Sequence, residues 1–181
     1  HAAALGIEVI LDAKRGDIGL TAAHYSASAR LAGADWTTVS PYLGFEPIHS
    51  FLDEGRGAFV LVRTSNPDSD AVQSLVLDDG RTVAEAMADL LVDAGAASIG
   101  ELGYSCLGAV VGATKGADHV ALRARMPNQL FLVPGFGAQG AGLDDVLDCF
   151  NADGRGAIVT SSRGIIYAAA EDDTGWAAAV S

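Results

Sequence analysis

Short apolar, β-rich runs alternate along the chain with longer stretches of helical periodicity. The runs Glu8–Asp12, Trp36–Ser40, Ala58–Arg63, Gly108–Ala113, Leu130–Val133 and Ala157–Thr160 read as strands. A helical stretch follows each: Thr21–Ala32, Pro47–Glu54, Arg81–Ser98, Ala117–Met126, Leu143–Phe150 and Gly164–Ala170. Mostly continuous apolar strands, each followed by a helix, specify a parallel sheet covered by helices, an α/β fold. Polar or Gly-rich residues follow most strands: Lys14-Arg15-Gly16-Asp17, Ser65-Asn66-Pro67, Thr114-Lys115-Gly116 and Gly135–Gly142. In such folds the chemistry gathers at the carboxyl ends of the strands. The longest irregular piece, Pro67–Gly80, reads as an elaborated loop and not a boundary, so residues 1–181 read as one domain.

Six βα units could form a doubly wound sheet. A (β/α)8 barrel has eight units and typically ~250 residues. At roughly 30 residues per unit, two further units amount to about 60 residues. The chain opens with Ala2, Ala3, Ala4, Leu5 and Gly6, which reads as the last turn of a helix and its stop. That opening fits a barrel whose first two units are absent.

Composition narrows the class. Half the residues are hydrophobic and 19% are charged, too apolar for a disordered chain. The formal net charge of −12 argues against non-specific nucleic-acid binding, which needs a dense basic surface. No apolar run reaches the ~18 residues of a membrane span, and no basic head with an apolar stretch marks a signal peptide. Cys106 and Cys149 form neither a CxxC pair nor a disulfide framework, so a reducing, cytoplasmic compartment is the default.

Four segments carry candidate chemistry. In Asp12-Ala13-Lys14-Arg15-Gly16-Asp17-Ile18, Asp12 and Lys14 are two apart on an extended strand and project to the same side. A cationic lysine held among carboxylates can deliver a proton to a carbanion; a surface ion-pair cluster is the bland alternative. Pro134–Gly142 follows a strand and precedes a helix, so its backbone N–H groups can cradle phosphate, with Gln139 as a side-chain donor. Its Gly135-x-Gly137-x-x-Gly140 spacing matches the dinucleotide fingerprint only formally. That fingerprint belongs in a first βαβ unit with an acid about 20 residues on, and here Ser161 and Ser162 stand near that spacing. Arg163, in Ser161-Ser162-Arg163-Gly164 after the last strand, has the planar, permanently charged fork of a phosphate clamp. The phosphate site of a (β/α)8 barrel is frequently built from the loops after its last two strands, where these two segments would lie. Arg63-Thr64-Ser65-Asn66-Pro67 offers hydroxyls and an amide to polar ligand edges, and reads equally as a Ser/Asn-stabilised turn. His24, His49 and His119 lack metal-ligand spacing, and nothing suggests zinc or a Ser or Cys nucleophile.

Together and in this order, these segments resemble the orotidine 5′-phosphate decarboxylase family, in the flavour of one bacterial branch. Asp12-Ala13-Lys14-Arg15-Gly16-Asp17-Ile18 with Thr21 is similar to the family's Asp-x-Lys-x-x-Asp-Ile-x-x-Thr signature. Thr64-Ser65-Asn66-Pro67 resembles its pyrimidine-reading loop, with Ser65 at the base-contacting position. Pro134–Gly142 resembles its phosphate loop, where the resemblance makes Pro134, Gln139 and Gly140 ligand contacts, and Arg163 matches its phosphate arginine. The likeness runs from about Leu5 to Ala168. It implies a (β/α)8 barrel, although nothing here matches the family's ribose-binding aspartate on the first strand or its lysine on the second. It also implies a homodimer in which Asp17, Ile18 and Thr21 reach the partner's site.

The reaction implied is loss of CO2 from orotidine 5′-monophosphate to give uridine 5′-monophosphate in pyrimidine synthesis, without a cofactor and without a metal. Lys14 would stabilise and protonate the carbanion at C6, held by Asp12 and a partner Asp17, while Gln139 and Arg163 grip the phosphate. Lys14, Arg15 and Arg163 would set the local field for an anionic substrate on an acidic protein. Two alternatives stand beside it. One is a Mg²⁺-dependent sugar-phosphate decarboxylase or aldolase of the same barrel superfamily. The other is an inactive fragment that binds a nucleotide phosphate. Six strands alone leave two sheet edges unpaired, so these 181 residues are not expected to be a competent enzyme by themselves.

Overall fold

The computed structural model describes residues 2–52, 55–137 and 139–167. Six strands, β1 (Ile10–Arg15), β2 (Trp36–Val39), β3 (Gly57–Arg63), β4 (Leu107–Val111), β5 (Phe131–Val133) and β6 (Ala157–Val159), form one sheet. Every neighbouring pair is parallel, and the spatial order is the chain order, β1-β2-β3-β4-β5-β6. A doubly wound sheet must reverse direction at a switch point. This order never reverses, so the sheet is an arc of a barrel, open between β1 and β6.

The strand residues divide by parity, as the pleat requires. Ala58, Val60, Val62, Leu107, Ala109, Val111, Phe131 and Val133 pack outward in one buried cluster with the helix residues Ala88, Leu91, Leu122 and Val146. Phe59, Val110 and Leu132 form a second cluster with Ile10, Trp36, Leu61 and Leu130, which fills the concave side. A Cβ on Gly108 would stand 2.6 Å from the Phe59 ring, so only glycine leaves that aromatic room inside the arc. Ile158 has no neighbouring strand beyond it and is 40% exposed.

The helices are α1 (Gly19–Leu31), α2 (Asp70–Gln73), α3 (Val83–Gly95), α4 (Gly116–Arg125), α5 (Asp144–Leu147) and α6 (Ser162–Ile166). α3 begins at a complete capping box: the Thr82 hydroxyl accepts the Glu85 amide at 3.1 Å, and Glu85 accepts the Thr82 amide at 2.7 Å. Such a cap contributes about 1 kcal/mol. Ala84, Ala88, Leu91 and Gly95 repeat at helical spacing on its buried face. Burying a leucine such as Leu91 adds roughly 1.5–3 kcal/mol. Arg123 of α4 is buried and donates to the carbonyls of Met126, Gln129 (2.8 Å), Cys149 (3.3 Å) and Gly156 (3.2 Å). Its guanidinium lies 3.8 Å from the Phe131 ring centroid, and burial pushes its pKa down to about 10, so it remains a cation at neutral pH.

Three expected elements differ. Pro47–Glu54 is not an α-helix; Glu46–Phe51 is a 3-10 helix, with i→i+3 bonds such as Ile48 N–H to the Phe45 carbonyl at 3.0 Å, and Asp53 and Glu54 lie outside the described residues. Pro67–Gly80 is not a plain loop, because it holds the turn Pro67–Ser69 and α2. Leu143–Phe150 shortens to the single turn of α5. The opening Ala2–Gly6 contains a 3-10 turn, Ala3–Leu5, ended by Gly6 at φ +67°. The expected helix Gly164–Ala170 is seen as α6, and residues 168–170 lie outside the description. Among the described residues no helix is long and apolar enough to cross a membrane.

Candidate active site

The apolar run of β1 ends at Leu11, yet the strand continues through its charged residues. Leu11 pairs with Thr37 and Arg15 with Val39, so four residues on β1 oppose two steps of β2. The irregularity places Lys14 at φ +47°, the sole non-glycine residue at positive φ among the described residues. That conformation costs a lysine roughly 1–2 kcal/mol. Thr38 of β2 holds it: the Lys14 amide donates to Thr38 Oγ1 at 2.9 Å. The same hydroxyl donates to Asp12 Oδ1 at 2.8 Å, and Lys14 Nζ donates to that oxygen at 2.6 Å. Burial alone would raise the Asp12 pKa. The hydrogen bonds from Lys14 and Thr38, with the lysine's charge, outweigh it and hold the carboxyl below the usual carboxylate range. Thr38 is fully buried, whereas the Asp12 and Lys14 side chains are 59% and 51% exposed on the sheet's open edge.

Asp12 and Lys14 line a cavity of about 210 Å³ at the carboxyl ends of the strands, facing Val110, Leu132, Pro134, Thr160 and Ser162. A second hollow of about 230 Å³ shares Pro134, Thr160 and Ser162 with the first, and adds Gln139 and Arg163. A third, of about 650 Å³, shares Gln139 and Arg163 and adds Ser65, Asn66, Thr114 and Lys115. The three adjoin through these common walls. Over the backbone of Gly135, Ser65 and Gln139 converge: a Cβ there would stand 3.3 Å from Ser65 Cβ and 3.2 Å from Gln139 Oε1. The phosphate-like loop is folded on itself by Gly137 N–H to the Ala141 carbonyl and Gly140 N–H to the Gly137 carbonyl, both 2.8 Å. Arg163 is exposed on α6.

The structure thus brings Asp12, Lys14, Pro134, Ser65, Gln139 and Arg163 around adjoining hollows. Gly140 lines a fourth hollow, which shares Gln139 and Thr114 with the third and adds Asp145. Asp17 does not pair with Lys14 within this chain; its carboxylate accepts the next amide, Ile18 N–H, at 2.8 Å. Thr21 is exposed on α1. Arg15 does not face the cleft: its guanidinium lies 4.8 Å from the Tyr25 ring centroid on α1, and the cations that line the hollows are Lys14, Lys115 and Arg163. Thr38 and Lys115 were not singled out by sequence. The available signal for Thr38 was parity, since Trp36 is two residues earlier on the same face and packs inside the arc.

Parallel βα units in unbroken order, with polar side chains gathered at the carboxyl ends of the strands, define an arc of a (β/α)8 barrel. A family model described as orotidine 5′-phosphate decarboxylase / HUMPS family matches residues 1–178. An orotidine 5′-phosphate decarboxylase of Rhodopirellula baltica is 42% identical over 200 aligned residues, covering 99% of this chain and 66% of that protein. One of Deinococcus radiodurans is 44% identical over 172 residues, covering 91% and 61%. The solved structure of Leishmania donovani OMP decarboxylase superposes with a TM-score of 0.78 at 38% identity, over 96% of this chain and 65% of that one. The chain belongs to the orotidine 5′-phosphate decarboxylase / HUMPS family. It spans just under two thirds of the length of these relatives.

Proposed function

We propose that this chain is the larger part of an orotidine 5′-phosphate decarboxylase, which converts orotidine 5′-monophosphate to uridine 5′-monophosphate. The observation that carries the reading is the Asp12–Lys14 pair at 2.6 Å, facing across one cavity the wall that leads to Gln139 and Arg163. The bond from C6 to the carboxylate breaks and leaves its electron pair on C6. Lys14 stabilises that charge and then transfers a proton from Nζ to C6. Asp12, held anionic, keeps the ammonium aimed into the cavity. Gln139 and Arg163 grip the 5′-phosphate, and that remote binding energy orders the reacting end. Ser65 reads the pyrimidine edge, and Pro134 and Gly140 complete the ligand contacts. No cofactor enters this scheme. The relatives' names favour it over the sugar-phosphate and inactive-fragment alternatives.

The same reading has two further βα units closing the arc between β6 and β1, supported by the open edges and the relatives' greater length. It has a homodimer in which Asp17 and Thr21 of one protomer complete the other's site, supported by their position away from Lys14 in their own chain. A cytoplasmic enzyme of pyrimidine synthesis fits the two free cysteines.

The test is a pair of substitutions in the natural full-length polypeptide. Lys14→Ala should abolish turnover and leave binding of uridine 5′-monophosphate largely intact. Arg163→Ala should weaken that nucleotide about 10- to 100-fold more than it weakens uridine. A Lys14→Ala enzyme retaining more than a few per cent of parental turnover, or equal losses for both ligands with Arg163→Ala, would refute the assigned roles.

A further inference from the structure

Ser65 is carried by a loop whose other residues are tied down. Arg63, the last residue of β3, is buried and pairs through Nε with Asp118 of α4 at 2.6 Å and through a terminal nitrogen with Asp70 of α2 at 2.7 Å. Thr64 donates its amide to Gln73 Oε1 of α2 at 2.8 Å, and its hydroxyl accepts from Gln73 Nε2 at 3.0 Å. The Asn66 carbonyl accepts the Ser69 hydroxyl at 2.7 Å, and the Ser65 carbonyl accepts Thr114 Oγ1 at 2.8 Å. From below, a Cβ on Gly112 would stand 2.6 Å from the Ser65 backbone, so glycine there lets the loop rest directly on the end of β4. Among the described residues the Ser65 hydroxyl has no hydrogen-bond partner of its own.

We propose that α2 is a strap that positions Ser65 for its ligand, with Gln73 and Asp70 gripping Thr64 and Arg63, the two residues immediately before it. The inference rests on the reading of Ser65 as the contact to the base. Charges alternate along the grip, Lys115–Asp70–Arg63–Asp118, each neighbouring pair within 2.7 Å. Hydrogen bonds from Lys115 and Arg63 hold the Asp70 carboxyl below its ordinary range. The segment between β3 and α3 is thereby a working part of the site. A hydroxyl on an unfastened loop must be ordered each time a ligand binds, and the ligand loses affinity by that amount. Gln139 and Arg163 are carried by the loops after β5 and β6, and among the described residues no hydrogen bond joins either of them to Gln73 or Thr64, although Asp70 lines the hollow they share with Ser65.

The experiment compares uridine 5′-monophosphate with ribose 5-phosphate, which lacks the base, by calorimetry on the natural full-length polypeptide. Gln73→Leu should weaken the nucleotide about three- to tenfold and leave ribose 5-phosphate unchanged. In a Ser65→Ala background the same substitution should add nothing, because both changes remove one contact. Gln73→Glu loses the Nε2 donor but keeps the acceptor for the Thr64 amide, and the Thr64 hydroxyl can donate to the carboxylate instead, so it should recover most of the affinity lost in Gln73→Leu. If Gln73→Leu does not fold, Gln73→Met, which keeps the length and drops the acceptor without changing any charge beside the phosphate residues, is read the same way. Equal loss for both ligands, or a full additional loss in the Ser65→Ala background, would overturn the strap. A lowered melting temperature with unchanged affinity would overturn it as well. If Ser65→Ala leaves nucleotide affinity untouched, the reading of Ser65 itself fails and the strap falls with it; if Ser65→Ala weakens binding and the Gln73 variant that folds does not, only the strap falls.

Discussion

Replacing Thr38 by valine removes one hydroxyl and almost no volume at a site with no exposure to solvent. Two hydrogen bonds disappear: the one accepted from the Lys14 amide at 2.9 Å and the one donated to Asp12 at 2.8 Å. The amide is half-buried on a strained backbone, and leaving such a donor unpaired costs about 1–3 kcal/mol. The Asp12 carboxylate is 59% exposed, so water replaces its lost bond and little is added. For a chain of this size that is a fall in melting temperature of about 2–8 °C. In the natural full-length polypeptide, and on the proposed reaction, turnover should suffer more than binding. Among the described side chains Asp12 then keeps only the lysine as a donor, with mobile water in place of the fixed hydroxyl, and the pair loses its fixed attitude in the cavity. A fall of about 10- to 100-fold in kcat, with KM nearly unchanged, is expected for an interaction that matters only as charge develops. The Asp12 pKa should also rise, because one of the bonds that lowers it is gone. A depressed carboxylate stabilises the fold above its unfolded pKa and loses that contribution as pH falls through its folded pKa, so the valine variant should weaken at a higher pH on acidification. Steady-state kinetics and pH-dependent melting decide the matter. Parental kcat and an unmoved acid limb would refute the reasoning, as would a loss confined to KM.

Lys14→Gly should melt higher than Lys14→Ala, by about 1 kcal/mol in stability, because glycine tolerates φ +47° and alanine does not; identical melting curves would show that the backbone relaxes. Arg81 lies 2.8 Å from Asp89, and Arg125 lies 3.0 Å from Asp89 and 3.3 Å from Glu85. Burial raises the Asp89 pKa, but its hydrogen bonds to both arginines outweigh that and leave it lowered; Glu85 is lowered chiefly by the Thr82 amide. This contribution is present above the ordinary carboxylate range near ~4 and lost as pH falls through the lower folded values; Asp89→Asn should flatten the acid slope of stability, and an unchanged slope would discount the cluster. Supplying two further βα units, about 60 residues on the proposed topology, should raise both compactness and turnover above those of the 181 residues alone; a monodisperse, cooperatively melting and active 181-residue protein would show that six units suffice.

All six strands were legible as short apolar runs with β-branched residues, fully buried in β4 and β5 and nearly so in β3, and still apolar at their cores in the more exposed edge strands β1 and β6. Their limits were less so. The reading ended the first strand at Asp12, where charge begins, but the Thr38 hydroxyl carries the bulged strand on to Arg15. α2 stayed hidden because four residues cannot display a 3.6-residue period. The helix expected at Leu143–Phe150 contracts at its far end, where Cys149 and Phe150 bond only three residues back, to the Val146 and Leu147 carbonyls at 3.0 and 3.1 Å. At the site, Asp12, Lys14, Ser65, Gln139 and Arg163 were visible as polar residues just past strand ends. Thr38 was not, because a buried threonine inside a β-branched strand looks like core filler. The tilt of Arg15 toward Tyr25 was equally unreadable, since it follows from a bulge that only the pairing with β2 defines.

The cavity holding Lys14 draws one wall from β1 and the other from Val110 of β4, Leu132 of β5 and the residues after β6, so it reaches across the opening between the two ends of the arc. A nucleotide that touches Lys14 and Arg163 together would therefore span the gap as a strut spans a notch. Its binding free energy would bear on the spacing of two edges that no backbone ladder joins. By mass action, a ligand at 100 times its dissociation constant adds about 2.7 kcal/mol to the stability of whatever state holds it. Here that increment would fall on the opening itself, and amides along β1 and β6 would slow their hydrogen exchange on binding more than those of β3 and β4 at the middle of the sheet.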